Sequence, residues 1–211
     1  MAGRYGNASQ AREYRLYIPP QAGGQPLPLV VMLHGCKQDP DDFAAGTRMN
    51  EAAREQGCFV LYPAQSRQAN PQGCWNWFKH SHQQRGRGEP ALLAGMTRDV
   101  MQKHGIDPAR VYVAGLSAGG AMAAILADTY PELYAAAGVH SGLAAGSAND
   151  LSSALGAMRT GSAGGAAKAS ARPIIVFHGD ADRTVHPSNG AHVLDASVQA
   201  GATVETDKPA T

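Results

Sequence analysis

An excess of charge of either sign is missing from this sequence. Its 18 lysines and arginines are matched by 17 aspartates and glutamates, for a formal net charge of +1. Such a chain offers no basic face for nucleic acid or an anionic membrane. The cluster Arg85-Gly86-Arg87 is too small to supply one. Long apolar runs are missing as well. The longest are of strand length, so nothing is expected to span a membrane. The opening residues, Met-Ala-Gly-Arg-Tyr-Gly-Asn, hold no apolar core of the kind a secretion signal needs, and no signal peptide is expected in this chain. Cysteine is scarce. Cys36, Cys58 and Cys74 are spaced in no zinc-binding pattern, so no metal site is expected. Cys58 opens the apolar run Cys-Phe-Val-Leu-Tyr and reads as a buried thiol. Cys36 and Cys74 both fall in loops, which leaves open a bridge between them or three free thiols. Charged residues are only 17% of the chain against 44% hydrophobic ones, which excludes a disordered protein. The 211 residues fit one α/β domain.

What is present alternates between two patterns. Alternation predicts an edge-type strand at Arg12–Ile18, and short apolar runs predict buried strands at Leu27–Leu33, Cys58–Tyr62 and Pro173–Phe177, with further strands at Val111–Ala114 and Tyr134–Val139 and a last short one at Thr203–Thr206. Helical spacing predicts helices at Asp41–Gln56, Glu89–His104, Ala118–Tyr130 and Ser188–Ala200. A polar loop at 64–88 holds both tryptophans, and loops this long are usually functional. The stretch 143–170, rich in Ala, Gly and Ser, reads as a mobile excursion with a short helix. Continuous apolar strands alternating with helices imply a doubly wound, mostly parallel sheet with helices on both faces. The crossover rule places the strand C-terminal ends along one edge, where ligands bind in such folds. His34-Gly35-Cys36, Ser117, His140 and Asp182 all follow such ends.

The stretch Val-Tyr-Val-Ala-Gly115-Leu116-Ser117-Ala118-Gly119 carries the most chemistry. A serine on a tight strand-to-helix turn is the nucleophile elbow, G-x-S-x-G. It implies a serine hydrolase acting on an acyl compound, with Ser117 as the attacking group. The oxyanion of the tetrahedral intermediate needs two backbone donors. The N–H of Ala118 is one, and the loop Leu33-His34-Gly35-Cys36 is expected to supply the other, from Cys36. In His178-Gly179-Asp180-Ala181-Asp182, Asp182 lies deeper in the loop than Asp180 and is the preferred acid partner for a catalytic histidine. The histidine itself is the difficulty. Only His186 and His192 follow Asp182, the first too close to it and the second inside a predicted helix. His34 and His140 are expected to line the crevice instead. Trp75, Trp77 and Phe78 either form an aromatic wall for an acyl or aryl group or pin the long loop to the body. No cofactor is expected.

Taken together, Arg15-Leu16-Tyr17-Ile18-Pro19, Leu33-His34-Gly35-Cys36, Cys74-Trp75-Asn76-Trp77, the stretch Arg85 to Gly95, the elbow through Gly120, and His178 to Asp182 resemble the poly(3-hydroxybutyrate) depolymerase family of esterases. That family is a branch of the α/β-hydrolases with feruloyl and acetylxylan esterase relatives. The resemblance implies an α/β-hydrolase fold, Ser117 as nucleophile, Asp182 as triad acid, and a small or polymeric ester as substrate. It implies an extracellular or secreted setting, which favours a Cys36–Cys74 bridge. Members of the family continue past the last helix into another strand and a Gly-His segment that carries the base. Nothing in this sequence matches that segment. The expectation is therefore a domain lacking its C-terminal strand and helix, and either an esterase or an esterase-like binding module without a base.

Overall fold

This computed structural model describes residues 1–7, 10–161, 172–199, 201 and 203–205. Among the described residues, seven strands form one sheet in the order β1-β2-β4-β3-β5-β6-β7. They are β1 (Ala2–Tyr5), β2 (Arg12–Tyr17), β3 (Leu27–Leu33), β4 (Phe59–Pro63), β5 (Ile106–Leu116), β6 (Ala136–His140) and β7 (Ile174–Phe177). The first two pairings, β1 with β2 and β2 with β4, are antiparallel, and every pairing from β4 to β7 is parallel. This is an α/β-hydrolase arrangement. The central strands β3 and β4 are continuous apolar runs, as burial on both faces requires.

The structure departs from expectation at both sheet edges. Arg12–Tyr17 is not an edge strand. Ala2–Tyr5 pairs outside it, in a segment (Ala-Gly-Arg-Tyr) too short and too poor in β-branched residues to announce a strand. At the other side β7 was expected to be buried, yet Ile175 is 56% and Phe177 53% exposed. Residues 203–205 form no strand, and Thr206 lies outside the described residues.

Helices α3 (Gly88–Lys103), α4 (Ala118–Thr129) and α6 (Ser188–Gln199) match the expected segments closely. The segment 41–56, expected as one helix, is two: α1 (Pro40–Thr47) and α2 (Met49–Gln56). Arg48 breaks them at φ 51°, with its N–H closing on the Ala45 carbonyl. Gly46 is a poor helix former, and the Thr47 hydroxyl donates back to the Phe43 carbonyl, which weakens continuation. Asp39 caps α1 by accepting from the N–H groups of Asp41 and Asp42. The expected short helix of the 143–170 stretch is α5 (Leu151–Thr160), and residues 162–170 lie outside the described ones.

The main core lies between the sheet and α3 and α4, with Leu29, Val31, Leu93, Met96, Val113, Met122 and Ile125 fully buried. A second cluster under α1 and α2 contains Met32, Phe43, Val60 and Tyr62. Helices therefore cover both faces. The register that positions the candidate site is between β3 and β5. Leu33 pairs with Gly115, so the loop after β3 and the turn after β5 leave the sheet side by side.

Candidate active site

Ser117 sits where β5 turns into α4, with φ 55° and ψ −117°. A non-glycine residue at positive φ is strained, and such strain persists where the surroundings impose it. Here the Ser117 N–H is held by the His140 carbonyl at 2.8 Å and the Ser117 carbonyl by Ala121 N–H at 2.9 Å. The two elbow glycines make the turn sterically feasible. A Cβ on Gly115 would collide with the Gly119 carbonyl and lie 2.8 Å from the Gly120 nitrogen. A Cβ on Gly119 would collide with the Leu33 carbonyl and lie 2.7 Å from the His34 oxygen. The N-terminus of α4 is thus pressed against the end of β3. The N–H of Ala118, first residue of α4, has no acceptor within the helix, and the helix dipole favours an anion there.

The neighbouring loop is held from several directions. Gly35 N–H donates to Gln38 Oε1, Lys37 N–H to the Gln72 carbonyl, and Gln38 N–H to the Gly35 carbonyl. Between them, Cys36 N–H has no hydrogen-bond partner among the described residues. Two unengaged donors, Cys36 N–H and Ala118 N–H, thus stand on adjacent chain ends beside Ser117. Cys36 is bridged to Cys74, with Cα atoms 4.3 Å apart, while Cys58 is a buried free thiol whose titration burial pushes up.

Several expected crevice residues are structural. His34 is only 1% exposed, so it does not line a crevice. Its Nδ1 meets the Gly35 carbonyl at 2.8 Å and its Nε2 accepts from Gln65 N–H at 3.2 Å. That pattern requires the neutral ring protonated on Nδ1, and burial lowers its pKa in the same sense. Trp75 (0% exposed) and Trp77 are in the core, and Trp75 Nε1 donates to the His34 carbonyl. Large aromatics here pin the 64–88 loop rather than form a wall for substrate. His140 is exposed, but its ring stacks near Phe177 (centroids 6.3 Å apart) along an apolar groove of about 390 Å³ on the sheet face.

Asp182 follows β7. One carboxylate oxygen accepts from Thr184 N–H at 2.8 Å and Val185 N–H at 3.0 Å. Burial pushes its pKa up, but those two bonds, the Ser141 hydroxyl and nearby His178 outweigh it and keep the carboxyl below its usual range. Asp180, the competitor, is exposed and accepts no hydrogen bond among the described residues. His178 Nε2 lies 3.5 Å from Asp182 but closer, at 2.9 Å, to the Val185 carbonyl. His186 pairs with Ser188, and a Cβ on Gly161 would lie 3.7 Å from the His192 ring. Among the described residues no histidine is hydrogen-bonded to Ser117.

Sequence reasoning passed over one cluster. Glu89, only 3% exposed, receives hydrogen bonds from Gln65 Nε2, Asn76 N–H and Asn76 Nδ2. Its one visible signal is an acidic residue in the first turn of α3, which reads as ordinary helix-dipole chemistry.

The chain is 34% identical over 175 residues to poly(3-hydroxyalkanoate) depolymerase C of Paucimonas lemoignei, covering 77% of this chain and 42% of the relative. It is 34% identical over 140 residues to feruloyl esterase B of Thermothelomyces thermophilus, covering 66% and 47%. It thus spans less than half the length of either relative. The structure superposes on the acetyl xylan esterase from Aspergillus awamori with a TM-score of 0.77, at 23% identity, over 94% of this chain and 80% of that one, which supports the fold. The sequence matches the family described as Esterase PHB depolymerase over residues 12–203, and the chain belongs to that family.

Proposed function

We propose that this chain is the nucleophile-bearing unit of a serine carboxylic-ester hydrolase. One observation carries the reading: the strained Ser117 turn and the unengaged Cys36 N–H leave the sheet side by side, locked by the Leu33–Gly115 register. Ser117 Oγ attacks the ester carbonyl carbon as its proton passes to a base. The carbonyl oxygen becomes an oxyanion between Cys36 N–H and Ala118 N–H. Collapse expels the alcohol and leaves an acyl-enzyme, which water then cleaves. Loss of one such donor typically costs about 3–4 kcal/mol of barrier. Asp182 has its carboxylate ionised and hydrogen-bonded, ready to orient an imidazole. A short hydroxyalkanoate ester is the proposed substrate, after the depolymerase relative. Feruloyl or acetyl esters on polysaccharide are the alternative, after the other relatives. The bridged Cys36 and Cys74 support an extracellular setting.

The absence of a hydrogen bond from a described histidine to Ser117 favours a second reading, an esterase-like crevice that holds an ester without cleaving it. Hydrolysis of short acyl, feruloyl and hydroxybutyrate-oligomer nitrophenyl esters by the chain and by Ser117→Ala separates the two, with and without added imidazole as a diffusible base. The esterase reading expects hydrolysis that depends on Ser117 and rises with imidazole, largest on hydroxybutyrate esters. Equal rates for both proteins under every condition support the binding module.

A further inference from the structure

We propose that Glu89 is a positioning residue for the oxyanion loop, acting through Gln65 and Asn76 to fix where the Cys36 N–H stands. This rests on the reading of Cys36 as an oxyanion donor. Glu89 belongs to no part of the Ser117 or Asp182 apparatus, yet it is a buried carboxylate with both oxygens engaged. Oε1 accepts from Gln65 Nε2 at 2.5 Å and Asn76 Nδ2 at 2.7 Å, and Oε2 accepts from Asn76 N–H at 2.7 Å. Arg12 stands 3.9 Å from Oε1 and His82 Nδ1 3.5 Å from Oε2. Burial raises the carboxyl's pKa, but nearby His82 and the hydrogen bonds from Gln65 and Asn76 more than offset it, which keeps the carboxyl below its usual range.

Gln65 is the distributor. Its Oε1 accepts from Arg12 Nε and Ser66 N–H, both at 3.0 Å, which fixes the orientation of its amide. Its Nε2 then has two protons to place. One goes to Glu89 and the other to the Cys74 carbonyl at 2.9 Å. Its backbone N–H donates to His34 Nε2. Two tethers therefore run from this one residue to the oxyanion loop. One passes through the His34 ring to the Gly35 carbonyl. The other passes through Cys74 and the disulfide to Cys36 itself. Between them Trp75 Nε1 fastens the His34 carbonyl, and Trp75 is held next to Asn76, which Glu89 grips by both backbone and side chain. A buried ion with a saturated set of donors is a rigid anchor, and removing its charge leaves donors unpaired. An oxyanion hole depends on such pre-set geometry, since displacing a donor forfeits its share of the stabilisation.

The test is Glu89→Gln, which keeps shape and removes the charge, with Gln65→Met as a second variant if the first does not fold. Two readouts are taken on the whole chain. Histidine ¹⁵N NMR and amide exchange report the loop directly. The wild type should show His34 fixed as the Nδ1–H tautomer and protected Gly35 and Lys37 amides. Either variant should lose the fixed tautomer and exchange those amides about tenfold faster or more, while Val113 in β5 keeps its protection. Acylation of Ser117 by a nitrophenyl ester, followed by intact mass in the presence of imidazole, should slow about tenfold or more. Unchanged His34 and loop signals in a folded variant would overturn the inference, whatever the acylation rate. So would a uniform loss of protection that includes Val113, which marks Glu89 as supporting only general stability. A wild type that is never acylated, with the loop effects intact, defeats the esterase reading and leaves Glu89 as an anchor of this loop.

Discussion

Gly119→Ala is expected to destabilise the protein and to silence Ser117 at once. The new methyl group would collide with the Leu33 carbonyl and lie 2.7 Å from the His34 oxygen. Both obstacles are backbone, at the end of β3 where Leu33 pairs with Gly115, so neither yields as a flexible side chain does. Relief requires α4 to move away from β3. Overpacking of this kind costs about 3 kcal/mol, which for a chain of this size lowers the melting temperature by roughly 10 °C. The same movement parts Ala118 N–H from Cys36 N–H, and acylation should fall by about 100-fold. Gly46→Ala is the control. It lies inside α1 with nothing within 4 Å of the added methyl. There alanine should be neutral or add about 0.5–1 kcal/mol of stability through helix propensity. Thermal melts and acylation rates of the two variants check the pair. Equal behaviour of the two would mean that the elbow is not packed against β3 as described.

The second large effect is expected from opening the Cys36–Cys74 bridge. The bonded cysteines are 38 residues apart. The chain-entropy relation assigns a closed loop of that size about 4 kcal/mol at 25 °C, or roughly 10 °C or more in melting temperature. In the proposed mechanism the bridge also carries function, because one of its ends is the residue whose N–H would face the oxyanion. Reduction should therefore slow Ser117 acylation even at temperatures where the chain stays folded. The experiment uses Cys58→Ser to prevent thiol exchange, and compares melts and acylation with and without reductant. Non-reducing peptide mapping of the unaltered chain should show Cys36 linked to Cys74 and Cys58 free. Three alkylatable thiols in the denatured, unreduced protein would contradict the pairing.

These effects trace which parts of the molecule were legible in its residues. The elbow was, because its constraint is local. Gly115 and Gly119 must lack side chains within one turn of Ser117, and no distant residue alters that. The central strands β3 and β4 were too, since burial on both faces writes itself as unbroken apolar runs such as Leu-Val-Val-Met-Leu. What was not legible depends on contacts between distant segments. Trp75 and Trp77 look the same in sequence whether they face substrate or core, and only the packing of the 64–88 loop decides. His34 follows a strand end and so suggested a crevice residue, but Gln65 N–H, 31 residues away, claims its second nitrogen. Glu89 resembled any acidic residue in a first helical turn until Gln65 and Asn76 closed around it. Likewise β1 pairs with β2 through backbone hydrogen bonds that its own four residues do not advertise.

The central claim is that Ser117 is the nucleophile, served by the Cys36 and Ala118 N–H groups. Mass spectrometry of the intact chain after exposure to a short-chain nitrophenyl ester, with imidazole present, addresses it most directly. The account predicts one acyl group per chain, mapping to the peptide that contains Ser117 and missing from Ser117→Ala. An adduct of equal yield in Ser117→Ala, or no adduct in the wild type, would contradict it.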